Sequence, residues 1–219
     1  MHNYKEKMFL ADIGNSYFHL FDGKTVIHLS HEEAIAKYHQ ENIYYICVKH
    51  ALEEKISNIP AWHNVSIKMK LAGAYGTMGV DRKALCLSHR EGIFVDAGSA
   101  ITVDVVEEGK YRGGFILPGL NAYLQAYRSI SGVLDVPLNS AVDLHELPLT
   151  TKDGISYGII ASIKTLIDKH RQDKTLYITG GDGRVLSSFF EKAVFDEALV
   201  FKGMQNALDV QSIENNNKQ

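Results

Sequence analysis

The feature that most constrains this chain is a pattern that occurs twice. An apolar run leads into Asp12-Ile13-Gly14-Asn15-Ser16, and a second, 84 residues on, leads into Asp96-Ala97-Gly98-Ser99-Ala100. Each Asp-x-Gly turn is followed by another strand-like segment, and each half then adds further strands and helices. Two halves that open alike imply a duplicated α/β unit, with the two turns facing each other across a cleft. The 219 residues are enough for two such lobes, each with its own core. The expected division is an N-terminal lobe over 1–90, a C-terminal lobe over 91–212 and a disordered polar tail over 213–219.

Composition narrows the function classes. With 45% hydrophobic and 22% charged residues, disorder, collagen and coiled coil are excluded as whole-chain descriptions. A net charge of −3 gives no basic surface for nucleic acid. The two cysteines, Cys47 and Cys86, sit in apolar runs without zinc-ligand spacing and read as buried thiols. Residues Met1 to Lys7 lead into an apolar stretch that Asp12 interrupts, so no signal peptide is expected. No uncharged run reaches the ~18 residues of a membrane span. A cytoplasmic protein without nucleic-acid or membrane partners is therefore expected. His28 and His31 read as a solvated pair rather than a metal site.

Periodicity predicts the elements. Strands are expected at Met8–Asp12, Tyr17–Phe21, Thr25–Leu29, Tyr44–Val48 and Val65–Leu71, with Asp22-Gly23 as a hairpin turn. In the second half, strands are expected at Gly92–Asp96, Ala100–Val106, Tyr111–Leu117, Thr175–Ile178 and Ala198–Phe201. Helices are expected at Glu32–Gln40, Ala51–Ile56, Asp81–Arg90, after Pro118-Gly119, at Asp153–His170, Arg184–Ala193 and Met204–Val210. In Asp153–His170 the residues Ile155, Ile159, Ile160, Ile163, Leu166 and Ile167 mark one face.

Several segments carry chemistry. In the first turn, Gly14 lets backbone N–H groups approach an anion, Asn15 and Ser16 add neutral donors, and Asp12 can hold a cation or water. In the second, Gly98 and Ser99 can cradle phosphate, while Asp96 and Asp104 can serve a metal. Thr179-Gly180-Gly181-Asp182-Gly183 joins a strand to a helix, a place for a flat or anionic ligand. Gly79-Val80-Asp81-Arg82 opens a helix. Asp81 there is either an N-cap or a general base, and Arg82 either a surface charge or an anion anchor. The glycine-rich strand Gly113 to Gly119 reads as tight packing. Each turn alone is compatible with a structural role, but three glycine turns after strands point to a nucleotide cleft.

Taken together, these motifs resemble the type III pantothenate kinases. The resemblance rests on Asp12-x-Gly-Asn-Ser16, Gly79-x-Asp-Arg82, Asp96-x-Gly-Ser-Ala-x-Thr-x-Asp104, Gly113-Gly-x-Ile-x-Pro-Gly119, Thr151 with Tyr157-Gly158, and Thr179-Gly-Gly-Asp-Gly183. It implies an actin-like, sugar-kinase α/β fold: two ribonuclease-H-like lobes of duplicated β-β-β-α-β-α type, with the active site in the cleft between them. The implied reaction is ATP-dependent phosphorylation of pantothenate to 4′-phosphopantothenate, the first step of coenzyme A biosynthesis. By the same resemblance, Asp12, Ile13, Gly14, Asn15, Ser16, Tyr17, Phe18 and His19 form the ATP phosphate loop, and Ser99, Gly180 and Gly181 are further ATP contacts. Asp81 is the proton acceptor. Tyr75, Gly79, Val80, Asp81, Arg82 and Thr151 line the pantothenate site. Asp96 holds a monovalent cation, potassium or ammonium, and a divalent cation such as magnesium accompanies ATP. A homodimer with the substrate pocket near its interface is also implied. Alternatives are a non-catalytic nucleotide-binding regulator, or a kinase of the same superfamily for another small alcohol or acid. The chain departs from the family pattern with Ser16 and Ser99 where threonine is usual, with Tyr75-Gly-Thr-Met lacking a proline, and with Gly154 in place of alanine. The serines keep the hydroxyl, whereas the latter two changes bear on pocket shape.

Overall fold

A computed structural model describes residues 8–216. The readings made above for residues 1–7 and 217–219 lie outside the described residues. The chain divides into two compact units. One takes the chain up to Arg90 together with Gly109–Tyr111 and everything from Glu197, and the other takes Glu91–Glu108 and Arg112–Asp196.

The first unit is built on a five-stranded sheet: β1 (Phe9–Ile13), β2 (Phe18–Phe21), β3 (Val26–Leu29), β4 (Ile43–Cys47) and β5 (Trp62–Asn64), in the order β3-β2-β1-β4-β5. β1 runs antiparallel to β2 and parallel to β4. It is central and covered on both faces, which is why Phe9, Leu10, Ala11 and Ile13 form a nearly continuous buried run interrupted by Asp12. The helices α1 (His31–Tyr38), α2 (His50–Ile56) and α3 (Val80–Cys86) follow the strands. α1 begins with a capping box: the Ser30 hydroxyl accepts from the Glu33 N–H at 3.2 Å, and the Glu33 carboxylate accepts from the Ser30 N–H at 2.9 Å.

The second unit repeats the plan. Its strands β6 (Gly92–Ala97), β7 (Ala100–Glu107), β8 (Lys110–Pro118), β9 (Leu176–Thr179) and β10 (Ala193–Phe195) lie in the order β10-β9-β6-β7-β8. β6 pairs antiparallel with β7 and parallel with β9, as β1 does with β2 and β4. Counted within each unit, both sheets have the order 3-2-1-4-5, the ribonuclease-H-like arrangement. The helices are α4 (Leu120–Ile130), α5 (Thr151–Arg171) and α6 (Gly183–Ser187). The expected isoleucines of α5 are buried in this unit's core, but Leu166 lies off that face and is exposed.

Three expectations are corrected. The segment Val65–Leu71 is not a strand. The place beside β4 is taken by Trp62, whose ring lies 5.4 Å from that of Phe18, and the chain then makes a 3₁₀ turn at Ser66–Lys68. The strand expected at Ala198–Phe201 lies earlier, as β10. Leu199 instead starts a helix, α7 (Leu199–Asn216), where the buried Val200, Phe201, Met204 and Ala207 follow helical spacing. The helix expected over Arg184–Ala193 is shortened to α6 because β10 follows.

α7 also changes the domain division, because it packs in the first unit instead of the second. The ring of Phe201 stacks on Phe21 at 5.3 Å. The Asn206 side chain donates to the carbonyls of Leu87 at 2.9 Å and Ser88 at 3.1 Å, at the C-terminal end of α3, where helix carbonyls lack partners of their own. The tail expected to be disordered from 213 continues this helix as far as Asn216.

Candidate active site

The repeat places Asp12 and Asp96 identically. Each is the penultimate residue of the first strand of its sheet, and each is followed by a glycine that closes the turn. The Gly14 N–H donates to Tyr17 O at 3.0 Å and the Gly98 N–H to Ala100 O at 3.0 Å. In the first turn Asn15, Ser16 and Tyr17 are exposed, whereas Ile13 and Phe18 are in the core. Only the backbone of those two can therefore serve a ligand.

His19 stands opposite Asp12 on β2 and opposite His28 on β3. The Nδ1 atoms of His19 and His28 are 2.6 Å apart, so one ring donates to the other. His31 Nε2 lies 3.0 Å from the Gly14 carbonyl. His28 is exposed, in keeping with its reading as solvated, but the two do not form a pair: His28 meets His19, and His31 meets the Gly14 carbonyl. Burial, then the neighbouring His28 and His31, lower the pKa of His19 from 6.5 to about 4. Between those values the unfolded chain binds more protons than the native one, so stability rises with pH across this window and is lost as pH falls through it. His19→Gln is expected to flatten the dependence of the melting temperature on pH between 4 and 6.5. An unchanged slope would locate the acid sensitivity elsewhere.

The Gly79 to Arg82 segment opens α3. Gly79, not Asp81, is the N-cap, which removes the capping reading of Asp81. The Asp81 carboxylate turns back along the helix start. Its Oδ1 accepts from the Arg82 N–H at 2.7 Å and occupies the space that a Cβ at Gly79 would need. Arg82 is only 7% exposed. Its guanidinium donates to the hydroxyls of Tyr75 at 2.8 Å and of Tyr111 at 3.5 Å. Tyr111 joins the predicted set through this contact. It lies 29 residues from Arg82, so local patterning gives no hint of it. Beside Tyr75 is a cavity of about 540 Å³ lined by the 69–72 segment, Ala74, Gly76 and Lys83.

In the second unit, Asp96 meets the glycine turn after β9. Gly180 has φ +91°, and a Cβ there would collide with the Asp96 carboxylate and the Ala97 carbonyl group. Asp182 donates its N–H to Ala97 O at 2.9 Å, and burial raises the pKa of its carboxyl. Asp96, Gly180 and the neighbouring Gly181 are thus brought to one place, whereas Ser99 is on the exposed part of its turn. Opposite Asp96 on β7 is Thr102, not Asp104, which is fully buried in the row of Phe94. Thr102 Oγ1 is buried without a hydrogen-bond partner. Carboxylate and hydroxyl oxygens are hard donors that suit an alkali cation. No group of three or more His, Cys, Asp or Glu that could hold a metal ion occurs among the described residues. Thr151 is exposed at the start of α5, whose N-cap Thr150 accepts from the Asp153 N–H at 3.1 Å. Hydrogen bonds from Asn139 and then Thr150 lower the pKa of Asp153.

A duplicated 3-2-1-4-5 sheet with an Asp-x-Gly turn after each first strand defines the actin-like, sugar-kinase class of fold. The family model for type III pantothenate kinases matches residues 57–173. A type III pantothenate kinase of Helicobacter hepaticus is 43% identical over 93% of this chain and 100% of its own length. One of Campylobacter hominis is 40% identical over 92% of this chain and 98% of its own. The chain belongs to the type III pantothenate kinase family. A Campylobacter jejuni crystal structure bearing the name of a Baf family transcriptional activator superposes with TM-score 0.84 at 35% identity, over 95% of this chain and 99% of that one. At 11% identity and TM-score 0.51, component A of the (R)-2-hydroxyglutaryl-CoA dehydratase of Acidaminococcus fermentans shares the fold alone.

Proposed function

We propose that this chain transfers the γ-phosphoryl group of ATP to the primary hydroxyl of pantothenate, giving 4′-phosphopantothenate and ADP. The observation that carries the reading is the start of α3, where the Asp81 carboxylate adjoins the buried, tyrosine-held Arg82. An oxygen–phosphorus bond forms to the pantothenate alcohol as the bond to ADP breaks, and Asp81 accepts the alcohol proton. Arg82, with Tyr75, Gly79, Val80 and Thr151, binds the acidic substrate. The Asp12 to His19 loop, with Ser99, Gly180 and Gly181, binds ATP. Charge neutralisation and positioning carry most of the rate, because phosphoryl transfer asks little covalent help of a protein. A divalent cation supplies charge neutralisation on the phosphates. Asp96 and Thr102 hold potassium or ammonium. A coupled ADP-release assay with pantothenate, with and without potassium, tests the reading. Release that needs pantothenate and rises with potassium supports it, release with another alcohol or acid redirects it, and none at all favours a non-catalytic regulator. Consumption of ATP fits a cytoplasmic setting, and among the described residues no helix is long and apolar enough to cross a membrane.

The functional form is a homodimer. Leu147 and Leu149, just before Thr151, are 80% and 99% exposed, an uncommon setting for leucines unless another surface covers them. The double substitution Leu147→Asp, Leu149→Asp is expected to give a monomer in sedimentation and to raise KM for pantothenate more than KM for ATP. An unchanged sedimentation coefficient would remove this segment from the interface.

A further inference from the structure

The Asp12–Ser16 turn is held from behind by two side chains that the sequence does not connect with it. His31 Nε2 donates to the Gly14 carbonyl at 3.0 Å, and Lys49 Nζ donates to the Asn15 carbonyl at 3.1 Å. Because a carbonyl only accepts, His31 must carry its proton on Nε2. Each anchor is placed by its own local structure. The capping box of Ser30 and Glu33 fixes the first residue of α1, which is His31. β4 runs parallel to β1 and its ladder extends one residue beyond it, with the Val48 N–H donating to Ile13 O at 3.1 Å, so the next residue, Lys49, arrives beside the turn.

We infer that His31 and Lys49 are positioning residues that aim the backbone amides of the phosphate loop. In a planar trans peptide the carbonyl and the following N–H point in opposite directions. Holding the Gly14 carbonyl therefore fixes the direction of the Asn15 N–H, and holding the Asn15 carbonyl fixes that of the Ser16 N–H. Both carbonyls are drawn to the side of α1 and α2, so the N–H groups that follow them are turned to the other side, the side on which the phosphate would lie. An unanchored turn can rotate these peptides and present a carbonyl oxygen to the anion instead. Lys49 also brings a positive charge close to the loop without occupying its donor side. The inference rests on the reading that this loop takes the phosphates of ATP.

Both anchors border a surface cavity of about 360 Å³, together with Ser30, Glu32, Ile35, Leu52 and Lys55, so shortening them enlarges an open space and leaves the core intact. The test compares full-length wild type with His31→Ala, Lys49→Ala, His31→Gln, Lys49→Arg and Gly14→Asp. ADP affinity is read by calorimetry, KM for each substrate by steady-state kinetics and folding by thermal melting. His31→Ala and Lys49→Ala are each expected to weaken ADP and raise KM for ATP by about threefold to tenfold, the worth of one hydrogen bond. KM for pantothenate and the melting temperature should stay near wild type, and the two donor-keeping variants should recover most of the loss. Gly14→Asp, which puts a carboxylate in the loop, reports on the underlying reading. If it weakens ADP while the alanine variants do not, the positioning role is wrong and the loop assignment stands. If it leaves ADP affinity unchanged in a folded protein, both fall. Equal rises in both KM values, or a lowered melting temperature without rescue, would reduce the two anchors to general structural residues.

Discussion

Asp81→Asn is expected to lower kcat by about two orders of magnitude or more, with the melting temperature nearly unchanged. The two parts of this expectation have separate causes. Asparagine keeps a side-chain oxygen that can accept from the Arg82 N–H, the bond at 2.7 Å that ties this side chain to the start of α3. Gly79 remains the N-cap, so the helix keeps its cap when Asp81 loses its charge. The amide cannot take up the proton of the alcohol, and no transition-state proton transfer to this position remains. ADP affinity and the binding of pantothenate should change little beside kcat. Single-turnover measurements with saturating substrates would isolate the chemical step. Near-normal turnover in Asp81→Asn would remove Asp81 from the reaction and return it to a helix-start role.

The second large effect is expected at Gly180. Alanine there meets two obstacles. The backbone has φ +91°, which an L side chain rarely adopts, and the new methyl group would collide with the Ala97 carbonyl group and the Asp96 carboxylate. Strain of this kind costs about 2 kcal/mol or more, read as a lower melting temperature. The functional consequence is more specific. Moving the Asp96 carboxylate changes the oxygen that, with Thr102, is proposed to hold the monovalent cation. The potassium concentration for half-maximal activity should rise by about tenfold or more, a range common for disturbed support of a metal ligand. Thr102→Val, which removes the hydroxyl and keeps the shape, should raise it as well without the loss of stability. Potassium titrations of both proteins separate strain from ligation. If Gly180→Ala melts lower yet responds to potassium as wild type does, Asp96 is not the cation ligand.

The α5 face, the two Asp-x-Gly turns and the buried strands β1 and β6 were legible in the sequence because each depends on near neighbours. A buried strand shows as an apolar run, an amphipathic helix as apolar residues at helical spacing, and a tight turn as glycine between them. The misread segments are those where an element's fate depends on what it packs against. Val65, Met69 and Leu71 are apolar and buried, but Trp62 fills the place beside β4. Leu199 to Phe201 suit a strand by composition, yet they start the helix that carries Phe201 onto Phe21.

The candidate site divides in the same way. Asp12, Asp81, Arg82, Asp96 and the glycines around them stand in short motifs whose spacing carries chemical meaning, so the sequence alone determined the fold class and the duplicated plan, and it supplied the residues proposed for phosphate and substrate. It could not determine that Arg82 is held by Tyr111, that Thr102 rather than Asp104 stands opposite Asp96, or that His31 and Lys49 grip the loop carbonyls. Those contacts join residues 17 to 34 apart, or depend on the register of one strand against another. The tertiary structure decided them because strand pairing and helix packing set side-chain distances that residue type and local spacing do not encode.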